Sequence, residues 1–119
     1  MDVIGIYRSQ EGNVTRLITE INGIIKEGKT TVILGDFNIC SLAYPRNYVT
    51  QSLREMGFKQ LVKKSTHIER GLIDHVYLYE GKTSKAKHII DVFPKYYSDH
   101  DGIGLILNVE KKEDNFMNN

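Results

Sequence analysis

The sequence predicts an α/β fold, in which a mixed sheet of about five to six strands carries two helices on one face. Short segments rich in Val and Ile alternate with segments whose apolar residues recur at helical spacing. The first such unit runs strand, helix, strand, an order that favours a parallel pair of strands. The length of 119 residues and the hydrophobic content of 40% allow a single domain with its own core.

The first unit begins with a strand over Asp2–Tyr7, which is rich in Val and Ile. Because this strand starts almost at residue 1, we expect nothing upstream to contribute to the domain. A helix follows, for which Asn13 is the expected N-cap and Gly28 the expected stop, and a second strand is predicted over Thr31–Leu34. The apolar residues that define the helix are Val14, Leu17, Ile18, Ile21, Ile24 and Ile25.

A second helix is expected to open at Pro45, a residue that suits the first helical turn, and to end at Gly57. The short apolar segment Phe58–Val62 then predicts a minor strand. We expect residues 1–110 to form the domain and the charged, Asn-rich residues 111–119 to form a disordered tail. The remaining strands are predicted over Leu72–Tyr79, His88–Phe93 and Ile103–Val109.

The charge of the chain is small overall but uneven along the sequence. The net charge of +1 provides no strong field that would attract nucleic acid from a distance. Between Arg46 and Lys95, however, ten basic residues stand against five acidic ones. This excess suits a phosphate-binding face, although solvated loop lysines explain each residue taken singly. The residues concerned are Lys63, Lys64, Arg70, Lys82, Lys85, Lys87 and Lys95.

The sequence also predicts where the protein resides. Cys40 is the only cysteine, so no internal disulfide can form, which fits a reducing compartment. No apolar run is long enough to span a membrane, and the amino terminus lacks a signal-peptide pattern. We therefore expect an intracellular protein, cytoplasmic or nuclear, that does not contact a membrane.

Gly35-Asp36-Phe37-Asn38 is the first stretch that suggests chemistry, because it directly follows an apolar strand. In extended backbone, residues two apart point the same way, so Asp36 and Asn38 face one spot while Phe37 packs inward. Gly35 lets the backbone bend and approach a ligand closely. A carboxylate and a carboxamide at one spot suit a hard cation or a phosphate-bound water. An ordinary Asx-type turn explains the spacing equally well.

Two further acidic positions extend this hypothesis. Asp74 lies within an apolar strand, where an unpaired carboxylate is costly, and His100 is its natural partner. Phosphodiester hydrolysis would then use Asp36 to activate water and His100 to stabilise developing charge, while Asp99 helps to hold a divalent cation. The alternative is an ordinary α/β domain with polar strand ends.

Three motifs, in order, resemble the endonuclease/exonuclease/phosphatase superfamily: Gly35-Asp36-Phe37-Asn38, Ile73-Asp74-His75-Val76 and Ser98-Asp99-His100. This DNase-like family includes abasic-site endonucleases, retroelement endonucleases, sphingomyelinases and inositol polyphosphate phosphatases. Tyr7-Arg8-Ser9 resembles the family's strand-end segment whose tyrosine approaches the scissile phosphate. Thr66-His67 resembles a linking segment of mobile-element endonucleases, which are the nearest members.

The resemblance implies a nuclease of nucleic acid, with DNA as its partner and Mg²⁺ or Mn²⁺ as its cofactor. Asp36 would activate water, Asn38 would bind the phosphate, and Asp74 would orient His100. The implied catalytic residues are Asp36, Asn38, Asp74 and His100; the implied substrate contacts are Tyr7, Arg8 and Asn38; and the implied metal ligand is Asp99.

The chain also departs from the family pattern. The family's domain is a two-layer α/β sandwich much longer than this chain, which resembles only its carboxy-terminal layer. The amino-terminal layer carries the glutamate that is the principal metal ligand, and no Glu here occupies an equivalent place. We therefore expect reduced activity, or none, from the chain alone. The alternatives are a catalytically silent dimerising or binding module and a lipid or inositol phosphatase of the same fold.

A single sheet covered by helices on one face leaves its other face apolar and exposed. We therefore expect that face to be covered by a second copy of the chain or by a complementary chain.

Overall fold

The protein has a mixed α/β fold, seen in a computed structural model that describes residues 1–26, 28–81, 84–95 and 98–111. The predicted tail lies outside the described residues except for Lys111, which ends the last strand. The described elements are β1 (Asp2–Tyr7), α1 (Val14–Ile24), β2 (Thr31–Asp36), α2 (Tyr48–Glu55), β3 (Lys59–Gln60), β4 (Asp74–Tyr79), β5 (Ser84–Phe93) and β6 (Gly102–Lys111).

The six described strands form two sheets, where the sequence predicted one. Four strands make a sheet in the order β1-β2-β4-β3, in which β1 and β2 are parallel, as predicted, and the other pairs are antiparallel. Strands β5 and β6 form a separate antiparallel hairpin of ten residue pairs. The strands were predicted from local patterns, but their division between sheets depends on pairing between distant segments.

Both helices pack on one face of the four-stranded sheet. Ile21 of α1 and Leu53 of α2 lie in one buried cluster with Ile33 of β2 and Tyr77 of β4. The same cluster contains Phe37, which is fully buried just beyond β2. Because side chains alternate along a strand, the neighbouring residues of β2 and β4 face the opposite side of the sheet.

The hairpin packs against that opposite side. Val32 and Val76 belong to a second buried cluster, against which Ile90 of β5 and Leu105 of β6 are packed. The hairpin thus covers part of the face that was expected to be exposed. On the same face Val3 stays 59% exposed and Leu34 38% exposed. That a second chain covers this face therefore stays a prediction, and it now applies only to the part of the face that the hairpin leaves exposed.

Asparagine N-caps fix where the helices begin. The Asn13 side chain accepts from the Arg16 backbone N–H at 3.0 Å, as predicted, but α1 ends at Ile24, before Gly28. For α2 the predicted start at Pro45 was wrong. The helix begins after Asn47, whose Oδ1 accepts from Thr50 N at 2.9 Å and satisfies an otherwise unpaired donor.

Candidate active site

Three segments bring two carboxylates and an imidazole to one end of the four-stranded sheet. Asp36 ends β2 and Asp74 begins β4, and the two residues are register partners in the antiparallel pair. His100 comes from the connection between β5 and β6. Its Nδ1 lies 2.7 Å from Asp74 Oδ2, and its Nε2 lies 3.8 Å from Asp36 Oδ2. We call Asp36, Asp74 and His100 the triad.

The hydrogen bonds of the triad leave one histidine nitrogen available to a ligand. A carboxylate only accepts, so His100 Nδ1 carries the hydrogen that binds Asp74, whether the ring is neutral or protonated. The distance from Nε2 to Asp36 is too long for a hydrogen bond. The His100 side chain is 35% exposed and that of Asp36 19%, so a small ligand can reach both. Nε2 is therefore the nitrogen that can accept or donate a proton there.

The segment after β2 begins with a turn in which the Asp36 carboxylate binds the backbone of Asn38. Asp36 Oδ1 accepts from the Asn38 backbone N–H at 2.9 Å, which is the Asx-type turn considered above. Asn38 is the only non-glycine residue with positive φ (53°) in the described part of the chain. Asparagine adopts this left-handed conformation more readily than other non-glycine residues, which suits it to the turn. The Asx-type turn therefore contains Asp36, which is also a member of the triad.

Gly35 lets two strands pack closely together, while its predicted role in close approach to a ligand stays a prediction. Its φ is 146°, and a Cβ built there would lie 1.8 Å from the carbonyl oxygen of Ile6 in β1. No side chain fits between the strands at this point. Glycine therefore lets β1 lie close to β2 directly before Asp36.

A segment from Thr66 to Gly71 supports the other side of the triad. The Thr66 hydroxyl accepts from the Asp74 backbone N–H at 3.0 Å, and the Thr66 carbonyl accepts from Asp101 N at 2.6 Å. Thr66 is fully buried. It therefore fixes the backbone on both sides of the Asp74–His100 hydrogen bond. The sequence identified Thr66 only as part of a linking segment.

His67 packs edge to face with His100, with ring centroids 4.8 Å apart at 90°. Its Nδ1 accepts from the backbone N–H groups of Glu69 and Arg70, each at 3.0 Å. Because Nδ1 accepts both bonds, the hydrogen of the neutral ring is on Nε2. His67 is thus held by its own turn and supports one side of the His100 ring.

Two arginines surround the Asn38 carboxamide. Its Nδ2 donates to the Arg8 carbonyl at 2.6 Å, and its Oδ1 accepts from Arg70 Nη1 at 3.0 Å. These two bonds fix which way the amide points and leave one amide N–H for a ligand. The sequence placed Arg70 only among basic surface residues, because nothing local links it to a residue 32 positions away.

His75 has no place in the triad but organises the loop beside it. Its Nε2 donates to the carbonyls of Ile39 (2.9 Å) and Leu72 (3.0 Å), so Nδ1 accepts from the Tyr77 hydroxyl at 2.9 Å. The ring stacks on Phe37, with centroids 4.9 Å apart. Burial lowers the pKa of His75, and burial raises the pKa of Tyr77 to about 12. This network joins β4 to the loop that carries Asn38.

The remaining predicted residues lie around the triad. Tyr7 is the register partner of Asp36 in β1 and is 78% exposed. Arg8 donates to the carbonyls of Phe37, Gly12 and Gln10, at 3.1, 3.0 and 3.3 Å. Asp99 does not join the triad. Its side chain is exposed and lines an open cavity of about 850 Å³, together with Ser65, His67, Ile68, Pro94, Lys95, Ser98 and Asp101.

The triad residues Asp74 and His100 also line a smaller cavity, of about 310 Å³, between the sheet and the hairpin. The apolar residues Leu34, Val76, Ile103 and Leu105 line it from both sheets, together with the charged residues Lys95 and Asp101. One side of the triad therefore borders an open cavity that has both apolar and charged walls.

The triad is also a candidate metal site. The ligand atoms of Asp36, Asp74 and His100 lie within 4.8 Å of one another. Mg²⁺ and Mn²⁺ prefer oxygen ligands, and Mg²⁺ is held by one or two carboxylates with water completing its shell. Two carboxylates and a partly exposed face suit such an ion. The predicted ligand Asp99 is not a member of this group.

Comparisons with protein-family models, curated proteins and solved structures find no match to this chain. Neither described helix is long and apolar enough to cross a membrane. Function is therefore inferred from the chemistry of the site.

Proposed function

We propose that this chain is a metal-dependent phosphodiesterase domain of the endonuclease type, with nucleic acid as its substrate. The observation that supports this best is the triad itself: two carboxylates from paired strands, with an imidazole hydrogen-bonded to Asp74 and open toward Asp36. General-base, electrostatic and phosphate-binding groups are what hydrolysis of a phosphodiester requires.

The residues divide the chemistry as follows. Asp36 orients a water molecule and takes its proton as the water oxygen attacks phosphorus. The bond from phosphorus to the ester oxygen breaks, and the leaving oxygen takes a proton from solvent. His100, protonated at Nε2, donates to a phosphate oxygen that gains negative charge, while Asp74 stabilises the imidazolium. The free amide N–H of Asn38 binds another phosphate oxygen. Tyr7, at the end of β1, and Arg8, directly after it, approach the phosphate.

A divalent cation suits the same place. Asp36 and Asp74 would hold Mg²⁺ or Mn²⁺, with water filling the remaining positions. When bound, the ion would act as a Lewis acid that neutralises charge on the phosphate.

The family relationship is part of this proposal. The three motifs meet at one end of a sheet, and two sheets pack face to face with helices on the outer side of the larger one. This arrangement supports the proposal that the chain is one layer of a DNase-like sandwich together with part of the facing sheet.

Plasmid nicking in Mg²⁺ or Mn²⁺ tests the proposal. We predict that Asp36→Asn and His100→Ala each reduce the nicking rate by at least about 100-fold, because each removes a proton-transfer or charge-stabilising group. Asp91→Asn, which changes an exposed carboxylate on β5, is the matched control and should leave the rate unchanged.

Equal nicking by all variants would show that the triad is not the active site. Absence of nicking in every form, with either ion, would reject catalysis by this chain alone and favour the silent binding module.

A further inference from the structure

The surface beside Asn38 carries two arginines, Arg8 and Arg70, that form no ion pair with any residue in the described part of the chain. Arg8 and Arg70 both make hydrogen bonds to neutral oxygens. Two unpaired cations next to a phosphate-binding carboxamide form a site that favours an anion.

The hydrogen bonds of Arg70 show which donors remain available. Nη1 donates to Asn38 Oδ1 at 3.0 Å. With the Gln10 carboxamide turned so that its oxygen faces Arg70, this oxygen accepts from Nη1 at 2.7 Å and from Nη2 at 2.9 Å. These contacts occupy three of the five guanidinium N–H groups.

The two remaining donors, Nε–H and the second Nη2–H, lie parallel along one edge of the guanidinium. They make no hydrogen bond within the described part of the chain. This edge is the one that binds two oxygens of a phosphate together. Because Asn38 and Gln10 hold the other edge, the guanidinium is preorganised and loses little freedom on binding.

We propose that Arg70, with Arg8 beside it, forms a second phosphate subsite next to Asn38. This subsite binds the phosphate that neighbours the scissile one, and the substrate is therefore a nucleic-acid strand with successive phosphodiesters. The inference rests on the proposed function for the identity of the first phosphate. It adds a contact to a second phosphate and a binding residue, Arg70, that the motifs did not assign.

The salt dependence of strand binding gives the first test. Affinity for a short labelled DNA strand is measured by fluorescence anisotropy over a salt series without divalent cation, so that no cleavage occurs. Loss of one phosphate contact lowers the slope of log K against log salt by about 0.7 for a single strand or about 0.9 for a duplex. Arg70→Met should show this decrease.

Two variants distinguish the contribution of the paired guanidinium donors to affinity from the contribution of the positive charge. Arg70→Lys keeps the charge and the salt slope but loses the paired donors, so its affinity should fall between wild type and Arg70→Met. Arg54→Met removes an exposed arginine on α2 that makes none of the hydrogen bonds of the site, and it should bind as wild type does. A wild-type slope for Arg70→Met, or an equal decrease for Arg54→Met, would overturn the proposal.

Cleavage kinetics locate the contact. Arg70→Met should raise KM by about tenfold with kcat nearly unchanged, because a contact made equally in ground and transition states affects only binding. Replacing a phosphate next to the cleaved linkage by a neutral methylphosphonate should raise the KM of wild type by a similar factor. We expect this effect on one side of the cleaved linkage only, the side that contacts Arg70. The same methylphosphonate should not raise the KM of Arg70→Met any further, because that variant has already lost the arginine that binds this phosphate. If the effects of Arg70→Met and of the methylphosphonate add up on both sides of the cleaved linkage, the proposed subsite is contradicted.

The two experiments also separate this inference from the proposed function. A decreased salt slope without cleavage by any form would retain the phosphate subsite and reject the phosphodiesterase. Cleavage that depends on Asp36 and His100, with no coupling between Arg70 and a neighbouring phosphate, would reject the subsite alone.

Discussion

His75 shapes the candidate site without touching a substrate. Its Nε2–H binds the carbonyl of Ile39, the residue after Asn38, so the loop that presents the carboxamide is held from within the core. Its Nδ1 accepts from the Tyr77 hydroxyl, and Thr50 in turn lies 2.8 Å from that hydroxyl. Because the ring is fully buried, this network favours the neutral imidazole.

We predict that folding stability decreases as the pH falls below about 6.5, the ordinary pKa of an unfolded histidine. The pKa of folded His75 is lowered by burial, so below about pH 6.5 the unfolded chain binds more protons and acid favours unfolding. One histidine contributes at most about 1.4 kcal/mol per pH unit. Above about pH 6.5 this contribution to stability is fully present.

Urea unfolding of wild type and His75→Gln at about pH 7.5 and about pH 5.5 measures the effect. The loss of stability on acidification should be smaller in His75→Gln, and His88→Gln, at an exposed position on β5, should behave as wild type. Equal acid sensitivity of wild type and His75→Gln would exclude the buried neutral histidine as its source.

At the scale of secondary-structure elements, the close pairing of β1 and β2 positions Tyr7 beside Asp36. Ile6 is the register partner of Gly35, and Tyr7 is the partner of Asp36. The close approach at Gly35 thus directly precedes the first residue of the triad. Gly5 lies on the neighbouring strand, where a Cβ would meet nothing within 4 Å.

We predict that Gly35→Ala lowers the free energy of unfolding by at least about 2 kcal/mol, because the methyl group meets the Ile6 carbonyl and the positive φ is strained. Gly5→Ala makes the same chemical change in open space and should be neutral or stabilise by up to about 1 kcal/mol. Chemical denaturation measures both. Equal midpoints would show that β1 and β2 do not approach as closely as described.

Local signals in the sequence predicted elements well and their ends less well. Asn13 was identified as a cap because its side chain acts on its own turn. For α2 two local signals competed, and Asn47 prevailed over Pro45 because its oxygen satisfies a helix donor. The contact between Arg70 and Asn38, by contrast, joins two loops 32 residues apart, and no local pattern predicts such a bond.

For the whole molecule, the sequence predicted an α/β chain whose polar strand ends meet, and the structure brings Asp36, Asp74 and His100 together. The sequence did not predict that β5 and β6 form a sheet of their own, separate from the four-stranded sheet. Alternating apolar residues indicate that a strand has a buried face, but not which surface buries it. Here Val32 and Val76 of the sheet are covered by the hairpin, so the chain itself supplies part of the missing layer.

The docking of this hairpin also places His100, because the residue lies between the end of β5 at Phe93 and the start of β6 at Gly102. Two adjacent isoleucines on β5 allow a matched test. Ile90 packs against the second buried cluster, whereas Ile89 is 65% exposed on the outer face. Replacing isoleucine by alanine lowers the strand propensity by a similar amount at both positions, but it removes buried apolar contacts only at Ile90.

We predict that Ile90→Ala lowers the free energy of unfolding by about 1–3 kcal/mol, while Ile89→Ala lowers it by less than about 1 kcal/mol. Urea unfolding measures both losses. If the hairpin holds His100 against Asp74, Ile90→Ala should also reduce nicking by more than Ile89→Ala does at a temperature where both variants are folded. Equal losses of stability at the two positions would mean that the hairpin does not pack on the sheet, and the triad would then lack the contact that brings its histidine into place.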